Sequence, residues 1–365
     1  MPGPAKTKRA SLATNGRARS LSNGKRAAYI DILRIFSCLF VIYNHTNERG
    51  FLRFASEPAG SFQWIASVFF ASFCKTVPLF YMISGALLLR KDESIGKTLQ
   101  RTVKILIDLV LFSVFYMWFD SSLAGTAFSL KNALLGTLNG SYWHLWYLYS
   151  YIALILTLPI LRKFVLSLDQ RTSVYFFVLV FFYSSVVPIV EYFWTGTING
   201  SLKPGWLTLY GLLYPVAGYL IENKLKITKR IVYGLWEIVG LCFVIGCVCE
   251  YFFLLKEPGS TSEKFIQLFM PVNNLTIYVT VKYIFENKKF GDKAYKFLTE
   301  TGACTFGIYL IHIFFLWKLP VTLDAWIAVE QLSYGGIFIS CVCVFILAGM
   351  LTWLLRRIPI IRKLL

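Results

Sequence analysis

The feature that most constrains this chain is the recurrence, along nearly its whole length, of apolar runs long enough to cross a bilayer. A span needs about 17–25 predominantly apolar residues. Runs of that kind lie near 29–46, 62–89, 103–119, 143–161, 173–192, 206–221, 231–254, 265–285, 303–319 and 326–355. The expectation is an all-α integral membrane protein, a bundle of about ten transmembrane helices. The last run has room for a helix and a re-entrant portion broken at Gly335-Gly336, so ten and eleven membrane elements both stay open.

Basic residues set the orientation, because Lys and Arg are retained on the cytoplasmic side of a membrane. The tail, the even-numbered connections and the C-terminal segment carry 27 of the 37, the opposite connections 7, and Arg34, Lys75 and Lys282 fall inside spans. Both termini are therefore expected in the cytoplasm. Residues 1–28 read as a disordered basic cytoplasmic tail, with seven Lys or Arg and no acid, and 29–365 as one membrane domain. No small-residue cleavage site follows the first apolar run, so it reads as an uncleaved anchor in a multi-pass protein.

Composition matters here mainly for what it excludes. At 56% apolar the chain exceeds the roughly 45–50% of ordinary globular domains, so lipid is its solvent. Its formal charge of +18 marks the cytoplasmic face and anionic headgroups. No nucleic-acid partner is expected, since zinc-finger spacing and a phosphate-binding glycine loop are both missing from the sequence. All eight cysteines lie in apolar runs and read as small buried hydrophobes.

Ionisable groups inside a bilayer cost about 2.5–3.5 kcal/mol each on insertion scales, so they mark candidate sites. Asp31, Arg34, His45, Lys75, Asp108, His144, Glu237, Glu250, Lys282, His312 and Glu330 fall within or at the edge of spans. The first span stands out. Arg34 and His45 are eleven residues apart, which returns them to within some 20° of one helix face and separates them by roughly 16 Å along it. Asp31 shares that face and can neutralise Arg34. His144 and His312 sit among aromatic neighbours and read more simply as interfacial anchors. No His-x-x-x-His pair supports a metal site, and Ser84-Gly85 lacks the context of a hydrolase elbow. General acid or base work is what remains for His45.

Four segments then carry a resemblance. Ile30-Asp31-Ile32-Leu33-Arg34 through Asn44-His45, Val77-Pro78-Leu79-Phe80-Tyr81-Met82-Ile83-Ser84-Gly85, Trp143-His144-Leu145-Trp146-Tyr147 and Phe306-Gly307-Ile308-Tyr309-Leu310-Ile311-His312 occur in the order seen in the acyltransferase-3 family of membrane acyltransferases, which the chain resembles. That resemblance implies transfer of an acyl group, usually acetyl from cytoplasmic acetyl-CoA, to a hydroxyl of an envelope carbohydrate or lipid-linked glycan. It implies an O-acetyltransferase of the bacterial cytoplasmic membrane, with no permanently bound cofactor. His45 would be general base or acyl carrier, and Arg34, farther along the same face, a second catalytic residue. A family pair of arginines opening the third span reads here as Arg101 and Lys104, which with Lys97 and Arg34 would meet the donor's phosphates. Asp31, Lys75, Ser84, His144, Trp146, Tyr309 and His312 are the expected supporting or acceptor-pocket residues. The rival reading is a transporter or flippase for an envelope precursor, because intramembrane charges also mark substrate paths.

Overall fold

The computed structural model describes residues 27–140, 142–194, 196–203, 205, 210–319 and 333–365. The basic tail through residue 26, Glu330 and the start of the tenth expected span lie outside the described residues. Within them the main elements are α1 (Ala28–Asn44), α2 (Phe62–Cys74), α3 (Val77–Leu88), α4 (Ile95–Leu123), α5 (Leu130–Leu138), α6 (Trp146–Ser167), α7 (Gln170–Phe181) and α8 (Val187–Phe193). They continue with α9 (Tyr210–Asn223), α10 (Lys229–Lys256), α11 (Met270–Phe285), α12 (Asp292–Ile313), α13 (Tyr334–Leu355) and α14 (Pro359–Leu364). No strand occurs among the described residues.

Among the described residues, seven helical stretches are long and apolar enough to cross a membrane: Phe62–Leu88, Ile95–Leu123, Trp143–Ser167, Gln170–Phe193, Lys229–Lys256, Asp292–Lys318 and Tyr334–Leu355. Three of the ten expected spans correspond to α1 and α11, of 17 and 16 residues, and to α9, of which 14 residues are described. These three sit inside, with α1 against α12 and α13 and α9 against α3. The break expected at Gly335-Gly336 is instead the first turn of α13, where Ser333 caps by accepting from the Gly336 amide.

The stretch Phe62–Leu88 is one span broken at Lys75-Thr76. A break in hydrocarbon must have its freed backbone groups satisfied by neighbours. Here Asn274 donates to the Lys75 carbonyl at 2.9 Å, Asn273 to that of Ser72 at 3.1 Å, and Thr76 ties the same turn to the Ser37 carbonyl at 2.9 Å. Beyond the break, α3 and α9 touch backbone to backbone. A Cβ on Gly85 would fall on Pro215, and one on Gly218 would fall on Met82, the small-residue contact that membrane helices use for close approach.

The α1–α12 pair positions the site. Gly302 leaves room for the side chain of Asp31, Cys38 contacts the Thr305 carbonyl, and His45 meets His312, so the two helices run in the same direction. The connection after α1 is a folded cap. Thr46 binds the Tyr43 carbonyl and the Phe51 amide, burying Phe51 and Phe54.

Candidate active site

His45 closes α1 as its C-cap, its amide on the carbonyls of Val41 and Ile42. Its Nδ1 lies 2.7 Å from Nε2 of His312, with the ring centroids 4.9 Å apart and the ring planes inclined by 18°. Nδ1 of His312 lies 2.6 Å from the Tyr309 carbonyl. A carbonyl only accepts, so that nitrogen carries a hydrogen, and a neutral His312 presents a lone pair at Nε2. That lone pair accepts from Nδ1–H of His45, which keeps its own lone pair at Nε2. The arrangement fixes a tautomer and hence a proton acceptor.

Aromatic groups enclose the pair. Trp143 stands edge-on to His45 at 5.0 Å and is itself exposed. Trp317 donates to the His45 carbonyl at 2.8 Å, from a π-helical turn, Phe314–Lys318, that follows α12. His144 is fully buried, with its ring 5.9 Å from that of His312, and Tyr309 donates to its carbonyl at 2.6 Å. The expectation that His144 and His312 are interfacial anchors is therefore corrected. Both have 0% exposure, because His45 covers His312 while the rings of Tyr116, Tyr142 and His312 close around His144. The three rings converge, yet they form no group able to hold a metal ion among the described residues.

A cavity of about 390 Å³ lies along α1 and α12 on the N-terminal side of this pair. Arg34, Lys104 and Arg356 line it together with Ser84, Tyr147, Tyr151 and Tyr309. Val41 and Tyr309, each about one helical turn before a histidine of the pair, also line it, so the cavity ends about 6 Å short of them along the helices. Arg34 is held 3.4 Å from the buried Asp31. Arg356 donates to the main-chain oxygens of Ala303 at 2.9 Å and Leu365 at 2.7 Å. Ser84 donates to the Phe80 carbonyl at 2.8 Å and lies 3.3 Å from the Tyr151 hydroxyl.

Lys97 and Arg101 do not line this cavity. Both turn to Glu93, Arg101 with two hydrogen bonds and Lys97 at 3.5 Å, and Arg162 approaches the same carboxylate at 3.5 Å. Burial pushes the Glu93 carboxyl up, but the bonds and charge of Arg101, with Lys97 and Lys91 behind, outweigh it and hold the group below the usual carboxylate range. Lys75 pairs with Glu263 at 2.6 Å, and Trp146 is exposed beside Tyr147; neither borders the cavity. Sequence reasoning did not single out Arg356, Tyr147 or Tyr151 as site residues. Arg356 was counted only as one more cytoplasmic cation, and the signal that could have raised it is its place at the end of the last apolar run.

With this geometry in view, a family model described as an acyltransferase domain matches residues 27–354. No curated protein and no solved structure matches the chain.

Proposed function

The chain belongs to the acyltransferase-3 family, and from that premise we propose that it moves an acetyl group from acetyl-CoA to a hydroxyl of an envelope carbohydrate or lipid-linked glycan. The observation that carries the reading is the chain from the Tyr309 carbonyl through His312 to His45, which leaves Nε2 of His45 as an oriented base. In the proposed step Nε2 takes the proton of the acceptor hydroxyl as its oxygen attacks the thioester carbonyl. The carbon–sulfur bond breaks, and the imidazolium returns the proton to the departing thiolate. Ester and free CoA result, with every proton accounted for. Attack by Nε2 itself uses the same lone pair: the carbon–sulfur bond breaks to expel CoA thiolate, and the acceptor hydroxyl then displaces histidine from the acyl-imidazolium, its proton passing to the thiolate.

The donor end follows from charge. Arg34, Lys104 and Arg356 offer three cations to a polyphosphate at one end of a cavity whose other end stops near the histidines. Lys97 and Arg101, tied to Glu93, form an outer ring that a phosphate reaches by exchanging with that carboxylate. Both termini then lie on the donor side, the cytoplasm, as the basic-residue asymmetry argues. The test is CoA release by the purified full chain in nanodiscs with an acceptor glycan present. Loss of release in His45→Ala, with insertion intact, supports the reading; turnover equal to that of wild type removes it.

A further inference from the structure

A second space, of about 560 Å³, opens between α7, α9, α10 and α11. Its depth is hydrocarbon, from Phe177 and Val178 on one side to Ala217, Leu235 and Val279 on the others. Apart from Tyr214 deeper in, the polar side chains that border it, Gln170, Ser173 and Lys224, stand near one end. On α7 the space runs from Gln170 to Phe181, a rise of about 16 Å. Half of a hydrocarbon core of about 30 Å is nearly the same length, so the space is one leaflet deep.

The polar end is cationic. Arg171, Lys226, Lys229 and Arg230 are exposed there, and Lys224 extends its ammonium to the Val165 and Leu168 carbonyls at the end of α6. Two acids lie close by in sequence, and both are committed. Asp169 caps α7 by accepting from the Thr172 amide at 2.7 Å, and Glu222 holds Lys282 at 2.7 Å together with the hydroxyls of Tyr29 and Tyr278. An apolar trough of leaflet depth under uncompensated positive charge fits one kind of molecule. We propose that this cleft binds an anionic phospholipid of the cytoplasmic leaflet, one acyl chain in the trough and the headgroup phosphate against Arg171, Lys226 and Arg230.

The site is separate from the acyl-transfer reading and stands or falls without it. The full chain, purified in mild detergent and offered equimolar dioleoyl-phosphatidylglycerol and dioleoyl-phosphatidylcholine, is weighed intact by native mass spectrometry. One phosphatidylglycerol per chain is expected to survive, preferred by about fivefold or more, since each basic residue near a membrane surface contributes on that order. Val178→Trp places a ring in the trough from an exposed position on α7 and is expected to remove the retained lipid while leaving the thermal midpoint unchanged. The triple variant R171Q/K226Q/R230Q is expected to keep a lipid but lose the preference. Equal retention of the two lipids by the wild type, or unchanged retention in Val178→Trp, overturns the site.

Discussion

Two spaces lie on opposite faces of the same helix. Ile83 and Ser84 of α3 border a cavity with three cations and three tyrosines, whereas Met82, one residue earlier, borders a larger cleft with no charge in its depth. Both are walled by helices in the same membrane, so the contrast is one of side chains and not of architecture. Charge inside a bilayer is kept only where something uses it, and apolar lining needs no such reason. The charged cavity is thus where chemistry is to be sought, and the apolar cleft is where the protein meets its solvent.

The strongest way to break this division is at the histidine pair. His45→Ala is expected to lower acyl transfer by about 10²–10⁴-fold, the range that positioned proton transfer supplies, with unchanged membrane insertion. Measured as CoA release, a drop of less than tenfold would leave the cavity without its base. His312 acts on His45 as a positioning residue, and His312→Leu is expected to cost about tenfold, the order of one lost hydrogen bond. His312→Gln, which returns an acceptor oxygen, is expected to recover part of that. A moved pH–rate profile in the Leu variant separates this role from packing, and an unmoved profile argues for packing alone.

The wall between the spaces is tested next. Gly85→Ala puts a methyl group into the backbone of Pro215 and is expected to cost about 1–3 kcal/mol, read as a lowered thermal midpoint of the purified protein. A wild-type midpoint would mean that α3 and α9 are not locked. Lys104→Gln should then raise the Michaelis constant for acetyl-CoA about two- to fivefold, more at low salt, with turnover preserved. The smallest effect is expected across the wall: Val178→Trp should change acyl transfer by less than about twofold, and a larger loss would show that the cleft feeds the cavity through α3.

Much of the fold was legible because the bilayer imposes a simple rule on length and polarity. The broken span was not. Lys75-Thr76 interrupts an apolar run without changing its composition, and the groups that tolerate the break, Asn273, Asn274 and Ser37, are on other helices. In the site, the spacing of Arg34 and His45 pointed to one shared groove, yet the cavity takes Arg34 and stops about one turn short of His45, since a helical period is a local property that says nothing of where packing closes a space. The partnership of His45 with His312 spans 267 residues, and no period within either helix announces it. For the same reason the pairing of Lys97 and Arg101 with the nearby Glu93 was not read from the sequence.

The π-helical turn from Phe314 to Lys318 begins two residues after His312. Such a turn holds one residue more than the α-helical turn it replaces, so its effect is one of phase. Remove that residue and everything after it swings by about 100°, while everything before it stays in place. The histidine pair would survive, but Trp317 would leave the His45 carbonyl and Lys318 would leave Asp120. What secures the upper end of the site is therefore a matter of counting as much as of chemistry. A relative with every one of these side chains and one residue fewer between His312 and Trp317 would carry the same base beneath a different roof.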